Sequence, residues 1–300
     1  MSRSQIVGLI VGLVVFATGL VVLLRSGDDE AATAEARAFS ESIPGSRAVI
    51  WAVGDGADGG EDGRAVANLI ASGGPQRFLY LGDVYETGTA EEFESNYQPL
   101  FGSLNEIAAP TVGNHEAPNE AEGYYPYWRE ATGRDVPAWY KFTVGDWQVL
   151  GLNTEEPRGA RSRQLRYLRR ALSARVFGTC RIAFMHHPRY SAGRHGDDRS
   201  VEPIRRALTG RATLLLAGHD HNMQRLRPVN GLTQLISGAG GHERYDVNER
   251  DPRLRFANDT TYGALRLDLR GSSATATFVS VDGTVLDRSR YRCRRAARAG

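Results

Sequence analysis

The sequence predicts an α/β fold in which stacked β-sheets carry helices on their outer faces. Three observations lead there. Short apolar runs alternate with stretches of helical spacing from Arg47 to Leu216. The remaining third shows period-two alternation and turn pairs, so it reads as strands alone. With 300 residues and 41% hydrophobic content, one large core is within reach, and no internal repeat divides the chain.

Taken in order, Arg47 to Val53 is a strand and residues 64–72 a short helix. Phe78 to Leu81 forms a second buried strand. Thr89 with Glu92 makes a capping box for a helix running through Phe93 toward Leu104. Ile107 to Val112 is the third strand. A loop rich in Tyr, Pro and Trp follows, its aromatic run Tyr124 to Trp128 suiting core or rim packing more than a substrate cleft. Trp139 to Val144 and Trp147 to Asn153 pair as a hairpin across Gly145-Asp146. Leu165, Leu168 and Leu172 stripe an amphipathic helix. Ile182 to Met185 is a strand, residues 201–208 a helix, and Thr213 to Leu216 another strand. Leu232 to Ser237, Leu265 to Leu269 and a hairpin at Asp282-Gly283 complete the β-rich end.

Five of these strands end in residues that bind metals. Gly54-Asp55 and Gly82-Asp83 close the first two, Gly113-Asn114-His115-Glu116 the third. Met185-His186-His187-Pro188 and Gly218-His219-Asp220-His221 close two later ones. Ligands of open α/β sheets collect at the carboxyl ends of strands, which is where all these residues fall. A competing motif overlaps the first block, since Gly54 to Gly59 fits the dinucleotide fingerprint G-x-G-x-x-G. Asp55 between its first two glycines would set a carboxylate where a pyrophosphate needs bare amide donors, so that reading is set aside.

The ordered constellation resembles the calcineurin-like metallophosphoesterase superfamily, and within it the purple acid phosphatase branch. The resemblance implies a four-layer α-β-β-α metallophosphoesterase sandwich. It also implies two metal ions, iron paired with iron, zinc or manganese, sharing Asp83. One would take Asp55, Asp83, His221 and the phenolate of Tyr85; the other Asp83, Asn114, His186 and His219. His115 and His195 would act on the substrate side. The first block lacks the Asp-x-His of many relatives, as purple acid phosphatases do. Tyr85, however, stands two residues after Asp83 where the family spacing is three, which leaves Asp58 as an alternative ligand. His187 and His242 read as a packed neighbour and a rim residue, Glu116 as a support for its own loop, and Asp220 as a second-layer or solvent-facing group. The activity implied is hydrolysis of phosphate monoesters by metal-bound hydroxide. A phosphodiesterase of the same fold and a catalytically silent binding domain are the alternatives.

The ends of the chain are of different material. Ile6 to Leu24 holds no charge, and its 19 residues would span about 28 Å as a helix, the thickness of a hydrocarbon core. Residues 1–25 are therefore expected to be a transmembrane anchor, with a cleaved signal peptide and a secreted product as the alternative. Arg3 before the run and the acidic Asp28, Asp29 and Glu30 after it place the amino terminus in the cytoplasm and the rest outside. Residues 26–45 read as a linker, 46–293 as the catalytic domain and 294–300 as a basic, solvated tail. The net charge of +2 gives no electrostatic reason to expect nucleic acid, and the expected partners are a phosphorylated small molecule and the membrane. Lys141 is the only lysine, so arginine-rich stretches carry little weight by their sequence alone. Cys180 and Cys293 suit one disulfide in an oxidising compartment.

Overall fold

The computed structural model describes residues 42–173 and 180–293. The expected anchor or signal segment and the basic tail lie outside them, as does the linker up to residue 41. Among the described residues no helix is long and apolar enough to cross a membrane.

Two sheets form a sandwich. The six-stranded sheet runs in the order β13 (Val285–Arg292), β12 (Ser273–Ser280), β11 (Gly263–Arg270), β1 (Arg47–Val53), β2 (Arg77–Tyr80) and β3 (Ala108–Pro110). The seven-stranded sheet runs β10 (Leu254–Asn258), β8 (Met223–Leu226), β9 (Thr233–Ser237), β7 (Leu214–Ala217), β6 (Cys180–Phe184), β5 (Trp147–Gly151) and β4 (Tyr140–Val144). The strands β1, β2 and β3 are parallel, as are β5, β6, β7 and β9. Period-two alternation sorts the side chains of the second sheet between two cores. Ile182, Phe184, Leu214 and Leu216 join the core between the sheets. Ala183, Met185 and Leu215 point the other way, under the helices Arg163–Ser173 and Glu202–Leu208. Cys180 and Cys293 are joined, linking the start of β6 to the end of β13 and so one sheet to the other.

The expected elements appear with shifted ends, two differ in kind, and two strands come in addition. Tyr124 to Trp128 lies in a helix, Tyr124–Thr132, instead of a loop. Tyr124, Tyr127 and Trp128 share its buried face and pack against Phe93 and Tyr97, a contact that overrides poor helix propensity. The capping box of Thr89 and Glu92 is present, but the helix then loosens into a π-turn over Phe93–Tyr97. Pro99, which lacks an N–H for the regular ladder, follows at once. The strands β8 and β10 escape the sequence pattern; β10 is a half-exposed edge strand, where little apolar alternation is required.

The loops leaving the two groups of parallel strands meet at one end of the sandwich. Gly54 N–H donates to the Ser237 carbonyl at 3.0 Å, and Ser237 Oγ donates to the Ala52 carbonyl at 3.0 Å. A side chain at Gly240 would lie 2.1 Å from the Gly54 carbonyl oxygen, so glycine there permits the approach.

Candidate metal centre

Asp55, Asp83 and His219 each follow a glycine at a strand end and adopt left-handed backbone angles, with φ of 61°, 71° and 70°. That turn points each side chain back over its sheet, and such strained positions persist where surrounding bonds fix them. The bonds are visible here. Asp55 carboxylate oxygens accept from His219 N–H at 2.9 and 3.1 Å, tying the end of β1 in one sheet to the end of β7 in the other. Glu116, fully buried, accepts from the N–H of Asp83 at 3.1 and 3.2 Å and of Val84 at 3.1 Å.

Around His186 the donor atoms converge. Its Nδ1 lies 2.8 Å from the Leu81 carbonyl, to which it donates, so Nε2 turns inward with its lone pair. Within reach of that nitrogen are Asn114 Oδ1 at 2.9 Å, His219 Nδ1 at 3.2 Å and Asp83 Oδ1 at 3.3 Å. On the other side of Asp83, His221 likewise donates from Nδ1 to the Glu243 carbonyl at 2.6 Å. Its Nε2 then faces Tyr85 Oη at 2.9 Å and Asp55 Oδ1 at 3.8 Å. Tyr85 Oη is 3.4 Å from Asp83 Oδ2. Asp55, Asp83 and His186 bring ligand atoms within 4.8 Å of one another.

The charges of this cluster call for a cation. Asp55 and Asp83 are both buried. Burial, with Asp83 beside it, pushes the Asp55 carboxyl well above the usual range. Burial also opposes ionisation of Asp83, but His186 overrides it and holds that carboxyl low. His186 in turn is raised to about 10 against its burial by the two aspartates, so positive charge is stabilised among these oxygens. Burial, with His242 and His195 adding to it, lowers His221 to about 4 and favours the neutral form that can bind a metal. Carboxylate, amide oxygen and imidazole groups converging in this way fit hard or borderline divalent ions, and no thiolate belongs to the set.

The two oxygen groups left open by the sequence lie in different places. Tyr85 reaches the cluster despite its shortened spacing, whereas Asp58 turns away to accept from the Gly60 N–H at 2.9 Å and to pair with His242 Nδ1 at 3.1 Å. His115 is held by the Glu86 carbonyl, 2.6 Å from its Nδ1, with Nε2 4.0 Å from Asp83 Oδ2. The exposed His195 lies over His219, ring centres 4.1 Å apart, and its N–H donates to Asp220 Oδ1 at 2.9 Å. Asp220 is itself fully buried. His187 packs against His219 and pairs with Glu155 at 3.1 Å.

Two contacts have no counterpart in the sequence reading. His242 stacks face to face on Tyr85, centres 3.8 Å apart and planes 19° from parallel. Tyr245 stacks on His221 at 4.0 Å, with the Arg194 guanidinium 4.8 Å from the centre of its ring. Their signal was present: Gly238 to Gly241 leaves β9 at the same edge of the sheet as the His219 block, making a sixth strand end at the site.

With this geometry the comparison with known proteins is informative. The sequence model of the calcineurin-like phosphoesterase family matches residues 47–223, from the start of β1 to the His219 block and just beyond. The chain belongs to that family. Mouse tartrate-resistant acid phosphatase type 5 is 25% identical over 253 residues, covering 73% of this chain and 75% of the mouse protein. Among solved structures, the purple acid phosphatase PPD1 from yellow lupin seeds superposes with a TM-score of 0.69 at 16% identity, over 84% of this chain and 54% of the lupin chain. GAP50, described as the anchor in the inner membrane complex of Plasmodium, gives 0.70 at 15% identity, over 84% and 90%. At those identities the structures speak for the fold. This calcineurin-like phosphoesterase is a metal-dependent phosphoric ester hydrolase whose curated relatives are acid phosphatases, and the family implies divalent metal ions.

Proposed function

We propose that the chain is a dinuclear phosphatase acting on phosphate monoesters of small molecules, tethered to the cell membrane with its catalytic domain outside. The observation that supports it most is the meeting of Asp83, Asn114, His186 and His219 at one point, with Asp55, Tyr85 and His221 around a second beside it. Asp83 lies between the two and serves both. Iron paired with iron, zinc or manganese suits these oxygen and imidazole donors. Such a pair, when bound, neutralises phosphate charge and lowers the pKa of water it holds.

The remaining work falls to the chain. Glu116 fixes the Asp83 turn, and the Leu81 and Glu243 carbonyls set which imidazole nitrogen of His186 and His221 faces inward. His115, with Nδ1–H on the Glu86 carbonyl, presents Nε2 to a phosphoryl oxygen and can return a proton to the leaving alkoxide. His195 and Arg194 stand on the opposite rim, beside His219 and Tyr245, and contact the ester from that side.

Elemental analysis of the purified protein, with a visible spectrum and turnover of p-nitrophenyl phosphate against its bis-ester, tests the proposal. Two metals per chain and preferential monoester turnover are expected, with one metal and the turnover lost in Asn114→Ala. Turnover of the diester alone would overturn the substrate assignment. Full metal binding without turnover of either would favour a silent binding domain.

A further inference from the structure

The outer face of the six-stranded sheet is unusually charged where no helix covers it. Strand register lines its residues into three rows. Arg47 of β1 pairs with Arg270 of β11, then Ser273 of β12 and Arg292 of β13. The next row on the same face reads Val49, Asp268, Thr275 and Arg290, and the third Trp51, Arg266, Thr277 and Arg288. Six arginines thus meet one aspartate on a protein whose net charge is only +2. Asp268 is bound by Arg266 at 2.8 and 3.0 Å. Arg47, Arg270, Arg288, Arg290 and Arg292 are exposed and form no ion pair among the described residues. Helix Glu61–Ser72 packs toward Trp51 and reaches only Arg266 of the set, through the Gly73 carbonyl.

We propose that this face docks on an anionic phospholipid bilayer. Edge strands do carry charge to block pairing with other chains, but that need stops at β13. Here the positive charge extends three strands inward, to β11 and β1, as a flat surface with small Ser and Thr side chains between the arginines. The chain also enters the domain at the edge of this face. Ser46, just before β1, accepts from the Gly271 N–H at 2.8 Å in the turn between β11 and β12. The uncharged run Ile6 to Leu24 precedes that entry by about 20 residues, so a bilayer holding the run would lie within reach of the arginines. The metal-binding loops leave the opposite ends of the strands, where a docked domain keeps them clear of the lipid.

Both sheets, both core clusters and the disulfide lie within residues 42–293, so this piece carries its own core. It can therefore be sedimented with vesicles of phosphatidylcholine, with and without about one third phosphatidylglycerol, free of any contribution from the apolar run. Binding to the anionic vesicles only is expected. Replacing Arg288, Arg290 and Arg292 together by Ser should weaken it about a hundredfold, roughly fivefold per arginine. Phosphatase turnover and the urea midpoint should be unchanged, because none of the three touches the metal centre. Equal sedimentation with both vesicle types, or undiminished binding by the triple variant, would overturn the proposal. So would binding of soluble polyphosphate without binding of vesicles. A piece beginning at residue 26 that fails to bind where residues 42–293 succeed would assign the face to the acidic linker instead.

Discussion

Replacing Glu116 tests how the fold holds the metal centre without touching a ligand. Its buried carboxylate receives the N–H groups of Asp83 and Val84 at 3.1 to 3.2 Å, and Asp83 stands at φ 71°. A non-glycine residue in that region costs about 1 to 3 kcal/mol, and hydrogen bonds contribute about 0.5 to 1.5 kcal/mol each, so the two N–H groups together offset much of it. Glu116→Ala leaves two buried N–H groups unpaired, at about 1 to 3 kcal/mol each, and leaves a void where the buried carboxyl stood. A loss of roughly 3 to 6 kcal/mol is expected in urea unfolding. Glu116→Gln keeps the volume and one acceptor, so it should fold with a loss of roughly 1 to 3 kcal/mol. Because the Asp83 turn then relaxes, metal affinity should fall about 10- to 100-fold by calorimetric titration. Wild-type metal affinity in Glu116→Gln, together with a wild-type midpoint in Glu116→Ala, would refute the reasoning.

Further outcomes are expected elsewhere. Cys180 and Cys293 enclose a loop of 113 residues, for which chain entropy gives an upper figure of about 5 kcal/mol, so Cys293→Ser should unfold earlier in urea under oxidising conditions. In excess reductant the variant and wild type should converge, and a persistent gap would assign the effect to packing. His115→Ala should lower kcat by about 10² to 10⁴ with the wild-type metal content retained, as measured by single-turnover kinetics and elemental analysis. His242→Ala removes the ring stacked on Tyr85; if iron and Tyr85 are bound together, the visible band should move, and an unmoved band would show that the stack does not orient the phenol. Glu202 is held below its usual pKa by Arg205, against its partial burial, with Arg189 and Arg206 adding to the effect. A depressed carboxyl stabilises the fold above its unfolded pKa and loses that contribution as pH falls toward its folded value. The stability gap between wild type and Glu202→Gln should therefore be constant from pH 7 to about 5 and shrink below that.

The sequence by itself determined which residues end the strands and in what order they come. A carboxylate, amide or imidazole residue just after an apolar run needs only local spacing to be read, and Asp55, Asp83, Asn114, His186, His219 and His221 were all legible in this way. The Thr89 capping box and the hairpins were equally local. The alternation of β10 was weak because an edge strand demands little of it, and the Tyr124–Thr132 helix was hidden because its aromatic residues favour that form only when packed on Phe93 and Tyr97. Tertiary structure decided everything that depends on two distant loops meeting. That Tyr85 rather than Asp58 faces His221 follows from contacts across 136 residues, and the stacking of His242 on Tyr85 is set by how the β9 loop crosses the β2 loop. The arginine face shows the same division. Its residues are scattered from Arg47 to Arg292 and become neighbours only through strand register, which no local spacing encodes.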